Sequence, residues 1–219
     1  MPRLLFEKMG NAVWMSQLDL MRLFQRTFKR AGLALKHTQG FNPRPSVSIA
    51  LPLSVGVESR CELLDFDLEG ESVSCQDILV RLNRALVNGV RVLDVYEQGR
   101  KIKDLSLLSC ALSLEYDKGI QEGAEEAIMA LFAKNTLTVE KRGKNGMTEQ
   151  DIIPMIRRIQ VRKADEHVLI LDALICCQNP SLNPNQLSGA VQKYLPEYTP
   201  DHTKCCRMEI YDSQEMIFR

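Results

Sequence analysis

The sequence predicts an α+β protein with antiparallel sheets, on three observations. Strand-type runs of alternating apolar residues and helix-type runs with apolar residues every three or four positions follow one another in the order βαββαβ over residues 1–102. The same order returns over residues 103–219 without obvious residue identity between the halves. Between them Gly99 to Asp104, with Arg100, Lys101 and Lys103, reads as a hinge. Each half is therefore expected to be a ferredoxin-like unit, with two helices covering one face of its sheet.

In the first half, Arg3 to Lys8 alternates as a strand toward a turn at Gly10-Asn11, and Ala12 to Met15 continues or pairs with it. Ser16, three residues before Asp19, opens a helix whose apolar positions Leu20, Met21, Phe24 and Phe28 share one face. Gly32 closes it. Leu33 to Thr38, Val47 to Leu53 and Cys61 to Leu68 read as strands, Cys75 to Val87 as the second helix and Val90 to Tyr96 as the closing strand. In the second half, Leu107 to Tyr116 is a strand and Glu122 to Ala133 a helix. Leu137 to Lys141, Ile152 to Val161 and Val168 to Cys176 are strands, Asn185 to Leu195 a helix and Cys206 to Tyr211 the last strand.

With 219 residues and 45% hydrophobic content the chain can bury a substantial core. No stretch approaches the ~18–20 uninterrupted apolar residues of a membrane span, and Met1-Pro2-Arg3 runs directly into a strand without a signal-peptide core. A cytoplasmic protein with no membrane association is expected. Seven cysteines without regular spacing agree with a reducing compartment. The doublets Cys176-Cys177 and Cys205-Cys206 point to opposite strand faces, and no C-x-x-C occurs, so no metal site and no cofactor are expected. Glu62, Asp65 and Asp67 have no histidine nearby and read as solvent-exposed, while His37, His167 and His202 are too scattered for a triad. No catalytic residue is assigned.

Charge is the informative asymmetry. The chain is neutral overall, yet residues 1–60 carry nine Lys/Arg against three carboxylates, and residues 104–219 carry 13 against 17. Arg22, Arg26 and Arg30, spaced by four, form one helical stripe with only Asp19 as a nearby acid. Guanidinium forks suit phosphates. Proline stiffens the loop Gln39-Gly40-Phe41-Asn42-Pro43-Arg44-Pro45, where Phe41 is placed to stack on a base, Asn42 to read an edge and Arg44 to hold a phosphate. The competing structural reading tucks Phe41 into the core. Asp19, Gln39 and Glu58 are read as substrate contacts, with helix capping the stronger role for Asp19. The anion or RNA site is thus expected at Arg22, Arg26, Arg30, Phe41, Asn42 and Arg44.

The runs Met15 to Arg22, Arg30-Ala31-Gly32-Leu33, Gln39 to Pro45 and Leu51-Pro52-Leu53-Ser54-Val55-Gly56-Val57-Glu58-Ser59 resemble the bacterial radical SAM-linked proteins, a domain of unknown function. The resemblance is strong over about residues 1–70 and general beyond. It implies a partner, a cobalamin-binding-type radical SAM protein beside or fused to the domain, and no activity. Members commonly carry His at the positions of Gln17 and Arg44, so an acid-base or metal role there does not transfer, whereas anion binding does. Lacking a cluster-binding cysteine motif, the chain reads as an accessory to that enzyme, binding RNA or a phosphorylated ligand. A small RNA-processing enzyme and a protein-interaction module without nucleic acid are the alternatives.

Overall fold

A computed structural model describes residues 1–70, 72–143 and 146–219. Its contacts divide the chain into two compact units, Met1–Asp104 with Ile217–Arg219, and Leu105–Met216. The last three residues, placed in the second unit by the sequence reading, return to the first. Four α-helices and antiparallel strands among the described residues make the protein α+β. None of these helices is long and apolar enough to cross a membrane.

The first unit contains β1 (Arg3–Lys8), α1 (Gln17–Arg30), β2 (Val47–Ile49), β3 (Val57–Phe66), α2 (Cys75–Ala85) and β4 (Val90–Tyr96). Its strands lie in the order β4-β1-β3 with β2 also on β3, each pair antiparallel. Helix α1 forms where the spacing predicts: Leu20, Phe24 and Phe28 are buried and Arg22 and Arg26 exposed, while Met21, expected on the buried face, is only half-buried. Aromatic pairs fasten it to the sheet, with the Phe6 and Phe24 rings 4.7 Å apart edge to face and those of Phe28 and Phe66 at 5.1 Å. Gly32, at φ +68°, adopts the left-handed conformation that stops the helix.

Two expected strands are reduced or replaced. The turn expected at Gly10-Asn11 extends as a 3-10 turn to Trp14, in place of the strand expected from Ala12. The buried Lys8 ammonium donates to the carbonyls of Val13 (3.2 Å) and Met15 (3.3 Å), and Gly56 N–H donates to Val13 O at 2.9 Å. Those carbonyls are therefore satisfied without a strand partner. Leu33 to Thr38 makes only the isolated bridges Leu35–Leu68 and His37–Pro45.

The second unit contains β5 (Leu105–Glu115), α3 (Ala124–Phe132), β6 (Thr138–Gly143), β7 (Gly146–Asp151), β8 (Ile156–Lys163), β9 (Val168–Cys176), α4 (Asn185–Tyr194) and β10 (His202–Asp212). The strand order is β10-β5-β9-β8, antiparallel throughout, and β6 and β7 form a separate hairpin. The reading of residues 152–161 as one strand is corrected at its start, where Pro154 lies in a 3-10 turn and β8 begins at Ile156. Strand β7 escaped detection because its sequence, Gly146 to Asp151, has a mostly exposed backbone path and no apolar face.

Asp65 is not a free surface carboxylate. Its oxygens accept from Arg3 Nε at 2.6 Å and Nη2 at 3.0 Å, and the Arg3 side chain is 2% exposed. Glu62 is likewise buried. The Arg3 guanidinium lies 5.6 Å from the centre of the Phe218 ring, with Arg100 at 5.0 Å on the same ring. Replacing Asp65 with Asn removes the charge facing a buried guanidinium and is expected to lower stability by about 2–4 kcal/mol, toward the range for breaking a buried pair. Urea unfolding of wild type and Asp65→Asn tests this; a difference below about 0.5 kcal/mol would show that solvent, not Asp65, stabilises Arg3.

Candidate functional site

Helix α1 begins at Ser16, whose hydroxyl accepts from Asp19 N–H at 3.2 Å and donates to Asp19 Oδ2 at 2.6 Å. Asp19 also lies 3.7 Å from Arg22 Nη1. Capping is thus the shown role of Asp19, and it holds Arg22 loosely in an exposed pair. Arg30, expected on the anion stripe, is otherwise engaged. Its Nη2 donates to Ala85 O at 2.7 Å and to Thr27 Oγ1 at 3.3 Å, supplying a donor to a carbonyl at the C-terminal end of α2. Arg26 and Lys29 are exposed and have no ion pair among the described residues.

Beyond α1 the chain forms a stem and a tip. Lys36 N–H donates to Asp67 O (2.9 Å), Thr38 N–H to Arg44 O (2.8 Å), Arg44 N–H to Thr38 Oγ1 (3.0 Å), and Ser46 N–H to Lys36 O (2.7 Å). These bonds close residues 39–43 into a hairpin tip in which Gln39, Gly40, Phe41 and Asn42 are exposed, as is Arg44 at its base. Phe41 is fully exposed, which excludes the reading that tucks it into the core.

Helix and stem line one groove of about 530 Å³. Gln25 and Lys29 come from α1, Leu33 and Leu35 form the apolar wall, and His37 and Pro45 stand at the base of the tip. Glu69, also lining it, lies 3.9 Å from His37 Nδ1, and Lys36 Nζ is 3.3 Å from Asp67 Oδ2. Gln25, Lys29, His37 and Glu69 were absent from the sequence-derived site. Lys29 follows Arg26 by three positions, so a helical reading that extended the stripe sideways would have reached it. His37 and Glu69 are 32 positions apart and meet only through tertiary structure.

Glu58 belongs to a different cluster. Its Oε1 accepts from Gly10 N–H at 3.1 Å, in the segment joined to Gly56. There Trp14 is 72% exposed, although the reading of residues 12–15 as a strand gave no reason to single it out. The sole tryptophan of the chain, placed just before a helix cap, was the available signal.

No group of three or more His, Cys, Asp or Glu side chains suited to a metal ion occurs among the described residues. Burial pushes the Cys177 and Cys205 thiols from an ordinary 9.0 up to about 12, with the nearby Arg207 charge opposing the rise, and pushes Cys110 up further. Thiols so disposed are protonated at neutral pH and are poor nucleophiles.

Residues 2–184 match the family described as "Uncharacterized protein conserved in bacteria (DUF2344)", and the chain belongs to it. No curated protein matches the chain. Among solved structures it is similar to a chain of the "Crystal Structure of a Cbf5-Nop10-Gar1 Complex", with a TM-score of 0.52 and 8% identity over 95% of this chain and 48% of that one. It thus spans about half the length of that relative, and the likeness bears on fold alone. It was also matched to the "Crystal Structure of an Unknown Protein from Galdieria sulphuraria", with a TM-score of 0.26 and 12% identity over 94% and 96% of the two chains.

The raised thiols make alkaline stability a test of their surroundings. The native groups keep their protons while those of the unfolded chain ionise above pH 9, so the stability they confer is present below pH 9 and is lost as pH rises toward 12. Alkaline unfolding of a Cys177→Ala/Cys205→Ala variant is expected to show a shallower decline, by up to about 1.4 kcal/mol per pH unit for each thiol removed. An unchanged slope would mean that these thiols ionise equally in both states.

Proposed function

We infer that this member of an uncharacterised bacterial family is a non-catalytic accessory protein that binds RNA or presents a phosphorylated substrate through its first unit. The observation that carries the reading is the groove lined by helix and stem. Arg26 and Lys29 stand unpaired on α1 beside it, and the tip that rises from its His37-Pro45 end carries the exposed Phe41 and Arg44. An RNA strand suits this combination, because backbone phosphates take the cations while an unstacked base takes the aromatic ring. Arg22 contributes after exchanging its weak contact with Asp19, whereas Arg30 stays with α2.

On this reading both units are ferredoxin-like, the second carrying the β6-β7 hairpin as an insertion into the βαββαβ order. The protein works in the cytoplasm, and the resemblance of residues 1–70 to radical SAM-linked proteins supplies the partner, a radical SAM enzyme acting on the bound RNA or ligand. The chain's own part is to hold and orient.

Fluorescence anisotropy with short single-stranded RNAs across a salt series tests the site. Affinity is expected to fall steeply with salt, and the log-log slope to shrink by about 0.7 for each cation removed in Arg26→Ala, Lys29→Ala and Arg44→Ala. Phe41→Ala is expected to weaken binding by about 1–3 kcal/mol with little change in slope. Folding should survive each change, since exposed cations contribute less than about 1 kcal/mol. If the triple cation variant binds RNA as wild type does, the site is misplaced; if wild type captures the neighbouring radical SAM protein but no RNA, the protein-interaction reading replaces this one.

A further inference from the structure

Strand β5 alternates tall and short side chains. Leu108, Cys110, Leu112 and Leu114 are buried, while Ser109, Ala111 and Ser113 between them stand half-exposed on the opposite face of the sheet. A row of small residues on an internal strand leaves a trough wherever the neighbouring strands carry longer ones. Here they do. Ser109 pairs in register with Leu174 and, beyond it, Arg158; Ala111 pairs with Asp172 and, beyond it, Gln160. Met208 and Tyr211 of β10 form the other wall. The resulting cavity is about 320 Å³ and lies wholly within the second unit. That is inside the ~300–1,000 Å³ range of small-molecule sites.

The polar groups in the trough are oriented by other contacts and keep capacity to spare. Asp172 Oδ2 accepts from Arg162 Nε at 2.8 Å, which steadies the carboxylate and leaves Oδ1 to accept from a ligand. The Ser109 hydroxyl donates to Glu209 O at 3.3 Å, so its oxygen is available as an acceptor. The Gln160 amide offers a donor and an acceptor side by side. Arg158 is held by Glu215 at 2.6 Å. The cavity's own lining thus holds one cation, Arg158, and one carboxylate, Asp172, each already paired, and β10 adds Arg207 and Glu209 opposite Cys110 and Ser109, so opposite charges match in number, unlike on the face of α1.

A balanced trough does not select for a phosphate. It suits a neutral planar molecule with apolar faces and an edge of alternating donors and acceptors. We propose that this trough binds a nucleobase carrying an exocyclic amino group, with the base edge on Gln160 and Asp172 and the base face against Leu174, Met208 and Tyr211. The amino group donates to Asp172 Oδ1, as carboxylates accept from base amino groups in nucleic-acid recognition. The edge is read as in single-stranded RNA, where hydrogen bonds and stacking act together. The base belongs either to a free nucleoside or to an RNA strand. This assignment is independent of the α1 groove and stands or falls without it.

The experiment is a titration of the whole isotope-labelled chain, followed by its backbone amide resonances, with adenosine, cytidine, guanosine and uridine and then with short single-base RNA oligomers. Shifts are expected to centre on β5, β8, β9 and β10, with the amino-bearing bases binding about tenfold more tightly than uridine, the worth of one good hydrogen bond to a charged acceptor. Asp172→Asn should remove that preference, and Ser109→Leu, which fills the floor, should abolish binding. Binding by nucleosides identifies the free base as sufficient, and binding by oligomers alone identifies the strand as its source; either outcome supports the site. Should Ser109→Leu fail to fold, the wild-type shift map and the Asp172→Asn preference decide. The proposal is overturned by no binding of any probe, by shifts centred outside these strands, by an unchanged preference in Asp172→Asn, or by undiminished binding in folded Ser109→Leu.

Discussion

The first unit is organised around a guanidinium that has left water. Removing an ion of this kind from solvent costs several kcal/mol even after relaxation, so it persists only where geometry compensates it. Arg3 meets that condition through two parallel hydrogen bonds to Asp65, the residue opposite it in the β1-β3 register, and through the Phe218 ring that covers it. Space is as restricted as charge. A Cβ on Gly99 would meet the Arg3 guanidinium group, so any other residue there would have to displace the Arg3 side chain from its pair with Asp65. One interaction thereby ties the register of β1 and β3, the exit of β4 and the return of residues 217–219 to the same point.

What that point supports is the placement of α1. With β1 and β3 fixed, Phe6 and Phe66 present their rings to Phe24 and Phe28, and the buried side of the helix determines which side faces out. Binding groups carried on a helix are positioned more precisely than groups carried on loops. Neighbouring cations then differ by their existing contacts rather than by their charge. Arg30 and Lys36 have protein partners, Arg22 has a weak one, and Arg26, Lys29 and Arg44 have none among the described ion pairs. On meeting a phosphate, only the last group would gain a counter-charge without giving up an existing contact.

Local signals in the sequence were sufficient for most elements and insufficient for most contacts. Helix α1, its Ser16 cap and its Gly32 stop are legible because each rests on residues three or four apart. Strand β9 matches its expected span, Val168–Cys176, because a short Val/Ile/Leu-rich run of that length favours a strand over a helix. The turn at Gly10-Asn11 is legible, but the stretch from Ala12 departs from the expected strand because the Val13 and Met15 carbonyls are satisfied by Lys8 and Gly56, a solution invisible in alternation. Arg30 and Asp65 were misassigned for a related reason, since their partners lie 55 and 62 positions away. Of the candidate site, the stiff loop could be read from its prolines, and the exposure of Phe41 could not. The groove could not, because Lys29, His37 and Glu69 converge only once the stem has formed.

Net charge, summed over half a chain, also misleads about individual surfaces. The second half is acidic overall, yet β8 carries Arg157, Arg158, Arg162 and Lys163 and no carboxylate. Asp172 and Glu215 then neutralise two of these cations, leaving a balanced trough on the face where β5 is small. The two surfaces therefore differ in the physics of any ligand they hold. Phosphates bound on α1 would release counterions and weaken with salt, whereas a neutral base in the trough, held by a hydrogen bond to Asp172 and by apolar contact, would displace few counterions and respond far less. Ionic strength consequently separates the contributions of the two units without any mutation.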